Sequence, residues 1–391
     1  GPRLLHSTAV IGDDLRQAVL SREDVRRLYQ PPDGDPAALS RIEGYLEELR
    51  ATQRHSIYRA LKHPLYPILR KVDRVAEGLP NLLGAIQTGR VVYVSNHKSH
   101  LDYLIELLIL EDHDIRPPII AAGINLFGGA LGLLHKHVTG AIPIRRGARD
   151  AAYLVTLKAY VAELLETHDL FFYPEGGRSY SGELKTAKTG LFNAVVMAEV
   201  PTLHIVPVAI AYDLVLEDRI LAPQLTKGRQ RPFTRELAEM VGTAVGYQSR
   251  AFVTFGAPVT LSRGEARSRR DVLGLAQQVI GAVGRLHKVL PTALVAAVVR
   301  PSMPRAELVS AVRALIDQLA ARGANIETTD AVRAVDQALV LFEERGVLQL
   351  EQDRVRVRDR FDLRSYGRQL NHLLDPSSTP AGVWRRLPTP P

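Results

Sequence analysis

The sequence of 391 residues contains no cysteine. Disulfide crosslinks, thiolate zinc sites and a cysteine nucleophile are thereby excluded, and any covalent intermediate would need another residue. The same lack is compatible with a cytosolic setting. Long hydrophobic runs are also missing. A membrane-spanning helix needs roughly 20 consecutive apolar residues, and the longest candidate, Pro117 to Leu134, is interrupted by Gly123, Asn125, Gly128, Gly129 and Gly132. It reads as strand, loop and short helix. The opening GPRLLHSTAV has no basic stretch followed by an apolar core, so no signal peptide is expected there. No internal repeat is apparent.

What is present is enough for packed cores: 46% of the residues are hydrophobic, in a chain long enough for one large domain or two ordinary ones. Lys and Arg number 50 against 42 Asp and Glu, a net charge of +8. That balance suits a partner carrying phosphates, whether nucleic acid, an anionic bilayer or a phosphorylated substrate, and does not choose among them.

Residues 12 to 85 carry helical periodicity, clearest from Ala37 to Leu69, so an N-terminal helical region is expected over 1–85. Within it, Arg54, Arg59, Lys62, Arg70 and Lys71 interleave with Ile57, Tyr58, Leu61, Leu65, Tyr66 and Ile68. Such a mixture suits a bilayer interface, and suits equally a helix packed on the main domain with a solvated basic face. From VVYVS (91–95) onward, short β-rich runs alternate with helical stretches. The runs are PIIAA (118–122), AIPI (141–144), LFFYP (170–174) and IVPVAIAY (205–212), with AFVTFGAPV (251–259) as a last strand and a closing helix from Ser268 to Leu286. The pattern predicts an α/β domain over 86–287, a largely parallel twisted sheet flanked by helices, with chemistry at the carboxyl ends of the strands. Residues 288–375 predict two helices and a hairpin, a small winged-helix-like unit. Arg354, Arg356, Arg358 and Arg360 there raise a nucleic-acid reading, although alternate arginines on a strand more often form a solvated edge. Residues 376–391 are proline-rich and read as a flexible tail.

Four segments carry chemistry. His97 and Asp102 lie in the loop between VVYVS and the following helix, and no other histidine has an aspartate five residues on. Across such a turn the carboxylate folds back onto the imidazole and fixes its tautomer, leaving the other ring nitrogen as a general base. The alternative is a helix cap with Ser99 at the N-cap and Asp102 in the capping-box position; both can hold together. His100 is a competing base. A metal site from His97, His100 and Asp102 lacks a fourth ligand and any familiar zinc spacing, so no metal is expected. The second segment, GAIPIRRG (140–147), ends a strand in Arg145 and Arg146, whose guanidinium forks match phosphate oxygens; an ordinary polar strand end would look the same. In the third, FFYPEGGRSYSGELKTAKTG (171–190), a buried run halts at Pro174 and leads into Glu175, Gly176, Gly177, Arg178, Ser179 and, before the next helix, Lys188. Glycines admit close backbone approach, and Arg178 and Lys188 supply positive charge, a reasonable phosphate cradle. Glu175 is a candidate acid, and is expected rather to pair with Arg178 or to bond backbone. The fourth, HIVPVAIAYD (204–213), places Pro207 in a core strand, which points to an edge, a bulge or a pocket wall.

Taken in order, the HX4D, GxxxIRR, EGGRS and VP-containing blocks resemble the four successive motifs of the glycerolipid acyltransferase superfamily. HKSHLDY, AAGINL, EGGRS followed by KTG, and YQSRAFVTFGAPV are similar to the bacterial glycerol-3-phosphate acyltransferase branch rather than the lysophosphatidate branch, over roughly residues 54 to 374. Tyr180 stands where that branch usually has a second arginine. The resemblance implies direct acyl transfer in a ternary complex, from acyl-CoA or acyl carrier protein as co-substrate and without a cofactor, to sn-glycerol 3-phosphate. His97 would act as base and Asp102 would orient it. Arg145, Arg146, Arg178 and Lys188 would hold the phosphate, with Glu175, Gly176, Gly177 and Ser179 shaping that site and backbone amides near Gly140 facing the oxyanion. It further implies a peripheral protein on an anionic membrane surface at the cytoplasmic face of the cell membrane, with contacts near Arg54 to Lys71 and Leu126 to Leu134, and no nucleic-acid partner. Dihydroxyacetone phosphate or lysophosphatidate as acceptor, or a non-catalytic lipid- or nucleic-acid-binding protein, are the alternatives.

Overall fold

The computed structural model describes residues 13–30, 32, 34–50, 72–99, 102–123, 141–145, 147–179, 181–215, 249–262 and 268–375. Among the described residues three helices come first: α1 (Asp13–Ser21), α2 (Glu23–Tyr29) and α3 (Ala37–Leu49). Along α3, Ala38, Ile42, Leu46 and Leu49 are buried, one stripe at helical spacing. The remainder of the helix expected to Leu69, and with it the basic segment Arg54 to Lys71, lies outside the described residues.

The sheet begins earlier than the sequence predicts. Strand β1 (Val72–Glu77) and most of helix α4 (Leu79–Thr88) fall inside the stretch read as helical up to residue 85, yet β1 pairs in parallel with a strand of the main sheet. In VDRVAE only Val72 is fully buried. An edge strand of this kind alternates too weakly to announce itself. There follow β2 (Arg90–Ser95), α5 (Asp102–Asp112), β3 (Ile119–Gly123), β4 (Ile142–Ile144), α6 (Ala151–Leu165), β5 (Leu170–Phe172), α7 (Gly190–Val195), β6 (Thr202–Tyr212), β7 (Ser249–Phe255), β8 (Val259–Ser262) and α8 (Arg269–Leu286). Asp150 caps α6, and Ser268 with Asp271 forms a capping box on α8.

The strand order is β1-β7-β6-β2-β5-β3-β4, with β8 also on β6. All pairs are parallel except those of β6 with β7 and with β8. Side chains alternate across it. Val92, Val94, Ile119, Phe172 and Ile205 face α3, α6 and α8, while Val91, Tyr93, Ile120, Phe171 and Val206 face α4 and α5. The run expected as one last strand is two, β7 and β8, both antiparallel to β6 and broken at Gly256, whose N–H donates to the Pro207 carbonyl at 2.8 Å. Pro207 thus sits in an interior strand, at the point where the ladder changes partner, which is where a residue without an N–H disturbs it least.

The C-terminal unit comprises α9 (Pro291–Val298), β9 (Ser302–Pro304), α10 (Arg305–Ala320), α11 (Ala331–Glu344), the hairpin β10 (Leu348–Glu351) and β11 (Arg354–Val357), and α12 (Arg360–Arg368) and α13 (Asn371–Leu374). Its sheet, β10-β11-β9, adds a strand to the expected hairpin. The hairpin arginines are engaged on the surface, Arg356 and Arg358 both with Glu351.

This unit presses on the loop after β5. Gly182 has φ +82, and a Cβ there would lie 1.9 Å from the backbone oxygen of Ser365 on α12. Asn371 donates to Glu183 at 2.7 Å. The Gly182→Ala variant is expected to lose about 3 kcal/mol or more, since a methyl group driven into a backbone carbonyl adds to the strain of positive φ. Gly323, at φ +71 with nothing within 4 Å, provides the control: alanine there bears only the conformational term of about 1 kcal/mol. Midpoints of chemical unfolding for the two variants make the comparison.

Candidate active site

Strand β2 delivers Ser95, Asn96 and His97 at its carboxyl end, and α5 opens on Asp102. His97 Nδ1 lies 2.9 Å from Asp102 Oδ2, which also accepts from the backbone N–H groups of Lys98 (2.6 Å) and Ser99 (2.9 Å). The pairing and the cap therefore coexist in one carboxylate. Asp102 is fully buried, while His97 retains 13% exposure. With an acid on Nδ1, that nitrogen is assigned the proton and Nε2 is left as acceptor. His100, the competing base, lies outside the described residues.

Three further groups, none picked out from the sequence, hold this pair. Tyr173 stacks on the His97 ring with centroids 4.2 Å apart and 13° between planes. Glu106, one helical turn beyond Asp102, takes Ser95 Oγ at 2.6 Å and the Tyr173 hydroxyl at 2.7 Å. Burial, and then the charge of Asp102, push the Glu106 carboxyl well above the usual range, favouring its neutral form. Asn96 binds both backbone groups of Ile210, donating at 3.0 Å and accepting at 2.7 Å. A lone acid in the apolar stretch LIELLIL was the one available hint to Glu106.

The glycine loop clasps His97 from below. Glu175 accepts from the backbone N–H of His97 at 2.9 Å through one oxygen and from that of Lys185 at 3.0 Å through the other. Ser179 N–H returns a bond of 2.8 Å to the His97 carbonyl. Of the two roles expected for Glu175, it takes the backbone one. Burial pushes its carboxyl upward, against the opposing charge of Lys98 and the two N–H donors. Gly176, at φ +70, would bring a Cβ within 2.6 Å of Lys188 Nζ, so Lys188 arches over the turn.

A cavity of about 650 Å³ opens above these residues, within the range of about 300–1,000 Å³ usual for small-molecule sites. His97, Arg145, Gly176, Gly177 and Lys188 line it, together with an apolar wall that includes Ile120, Ile144, Leu154, Leu157, Phe172, Leu191 and Leu273. Arg178 and Ser179 are buried and are not among its lining residues. Arg145 reaches the cavity already engaged. Its guanidinium forks Glu48 of α3 at 2.8 and 2.5 Å and lies 5.1 Å from the ring centres of both Tyr45 and Tyr153. Arg146, Tyr180, Gly140 and the stretch Leu126 to Leu134 lie outside the described residues. Among the described residues, no group of three or more His, Asp or Glu side chains is placed to hold a metal ion.

Residues 75–211 match the acyltransferase family model. The glycerol-3-phosphate acyltransferase of Actinobacillus succinogenes is 34% identical over 184 residues, 46% of this chain and 22% of that protein. Those of Histophilus somni and Haemophilus influenzae are each 31% identical, over 270 and 281 residues, taking in 66% and 67% of this chain and 32% and 33% of the relatives. The match thus spans a third or less of those relatives' own length. The α/β unit that positions His97 and Asp102 thus carries the match to the acyltransferase family model, and about two thirds of the chain is similar to bacterial glycerol-3-phosphate acyltransferases.

Proposed function

We propose that the chain transfers a fatty acyl group from acyl-CoA or acyl carrier protein to the 1-hydroxyl of sn-glycerol 3-phosphate, giving lysophosphatidate. The observation that carries this reading is His97, backed by Asp102 and facing a mainly apolar cavity that Lys188 also lines. His97 Nε2 takes the hydroxyl proton as the alkoxide attacks the thioester carbonyl. The tetrahedral intermediate then collapses, and the imidazolium returns the proton to the departing thiolate. Asp102 balances the transient positive charge. Lys188 and Arg145, with Arg146, take the phosphate, and the apolar wall takes the acyl chain. No cofactor enters this scheme.

The product is an amphiphile, which favours a peripheral protein on an anionic membrane surface at the cytoplasmic face of the cell membrane. Among the described residues no helix is long and apolar enough to cross a membrane. The relatives' shared name supports glycerol 3-phosphate as acceptor. Supplying purified protein with palmitoyl-CoA or palmitoyl carrier protein and, in turn, glycerol 3-phosphate, dihydroxyacetone phosphate and lysophosphatidate tests the assignment. The expected result is the highest kcat/KM for glycerol 3-phosphate; a preference for lysophosphatidate overturns it.

A further inference from the structure

The sequence motif accounts for one oxygen of Asp102. Oδ2 faces His97 and the backbone of the β2–α5 loop, whereas Oδ1 accepts from the hydroxyl of Tyr212 at 2.7 Å. Tyr212 closes strand β6, 110 positions along the chain, and is 4% exposed. Two residues earlier in the same strand, Ile210 is pinned by Asn96, the neighbour of His97. The strand bearing Tyr212 and the loop bearing His97 are therefore fixed in one register. Phenylalanine would fill the same apolar space, so packing alone does not call for the hydroxyl. Its proton goes to a buried carboxylate, where a charge-assisted bond is short and strong.

We infer that Tyr212 is a positioning residue for the acid–base pair: its hydroxyl anchors Asp102 and draws negative charge away from the oxygen facing His97, keeping His97 a neutral base near pH 7. The groups around the pair leave this task to a neutral donor. Glu106 on α5 is favoured in its neutral form, and the phenol of Tyr173 lies stacked on the His97 ring. The loops contribute Glu175, Lys98 and Lys185, of which Glu175 is committed to backbone donors and Lys98 to the Gly182 carbonyl. None of the bonds made by those groups reaches Oδ1. Without the Tyr212 hydroxyl, more charge remains on Asp102, the imidazolium is stabilised, and His97 holds its proton to higher pH.

The kinetic consequence rests on the acyl-transfer reading; the effect on His97 does not. In the full chain, ¹⁵N-imidazole NMR follows the His97 titration, assigned with His97→Gln. Tyr212→Phe is expected to raise its midpoint by about one pH unit. The acid limb of kcat/KM moves up with it, leaving a rate about ten-fold lower at pH 6 and an unchanged KM for the acceptor. In an Asp102→Asn background the substitution adds nothing to the shift. Placing 3-fluorotyrosine at position 212 keeps the shape and strengthens the donor, so the midpoint moves down, which also serves if the phenylalanine variant fails to fold. An unmoved His97 midpoint in either folded variant, or a uniform loss of rate with the limb in place, overturns the inference. A protein that shifts as expected yet transfers no acyl group would retain the positioning role and reject the reaction.

Discussion

His97→Ala is expected to lower kcat by roughly 10²- to 10⁴-fold, the span that a positioned general base contributes. The substitution removes the nitrogen that faces the cavity, along with the Nδ1 bond to Asp102 and the stack on Tyr173. Backbone bonds from His97 to Glu175 and Ser179 persist in alanine, so the β2–α5 loop and the glycine loop stay joined. Lys188, Gly176 and the apolar wall are untouched. KM for glycerol 3-phosphate should therefore change little, and the fold should persist with a melting temperature lowered by the buried Asp102 carboxylate that loses its imidazole partner. Steady-state kinetics with both substrates saturating make the measurement, and full activity would exclude His97 as the base.

Glu175→Gln should lower kcat by about 10²-fold, the scale on which a misplaced catalytic group loses rate. The carboxylate has an oxygen for each of two backbone donors, His97 N–H and Lys185 N–H. An amide offers one oxygen and turns an NH₂ toward the other donor, leaving that buried N–H unpaired. Whichever way the amide settles, either His97 or the loop carrying Lys188 is released. Because Glu175 is not among the residues lining the cavity, KM for the acceptor should stay nearly constant. A raised KM with kcat preserved would instead make Glu175 a direct ligand of the substrate.

The two effects differ in how far the sequence announced them. The His97 and Asp102 pairing is local, five residues across a strand-to-helix turn, and short-range spacing carries it. The sheet was legible for a similar reason: strands buried on both faces, such as VVYVS and IVPVAIAY, read as apolar runs between helices. Strand β1 was not, since five of its six residues are only partly buried or exposed. Glu175 was recognisable as part of a motif, but its bond to the His97 backbone was not, because that partner comes from another loop. Tyr212 looked like the end of a core strand, and its bond to Asp102 depends on a sheet register no local pattern encodes. Burial was no more legible within that motif: Arg178 is buried, whereas Lys188, ten positions on, lines the cavity.

The fork between Arg145 and Glu48 changes how acceptor affinity should be understood. In the proposed reaction the incoming phosphate does not meet a waiting guanidinium. It competes with a carboxylate tethered to the same molecule, whose supply never runs out. The apparent dissociation constant is then the intrinsic one divided by the fraction of molecules in which Arg145 has let go. Each binding event must also loosen the hold of α3 on the strand end, so the N-terminal helices are linked by mass action to the occupancy of the site. Affinity for the acceptor is in this way set partly by Glu48, a residue that need never touch it.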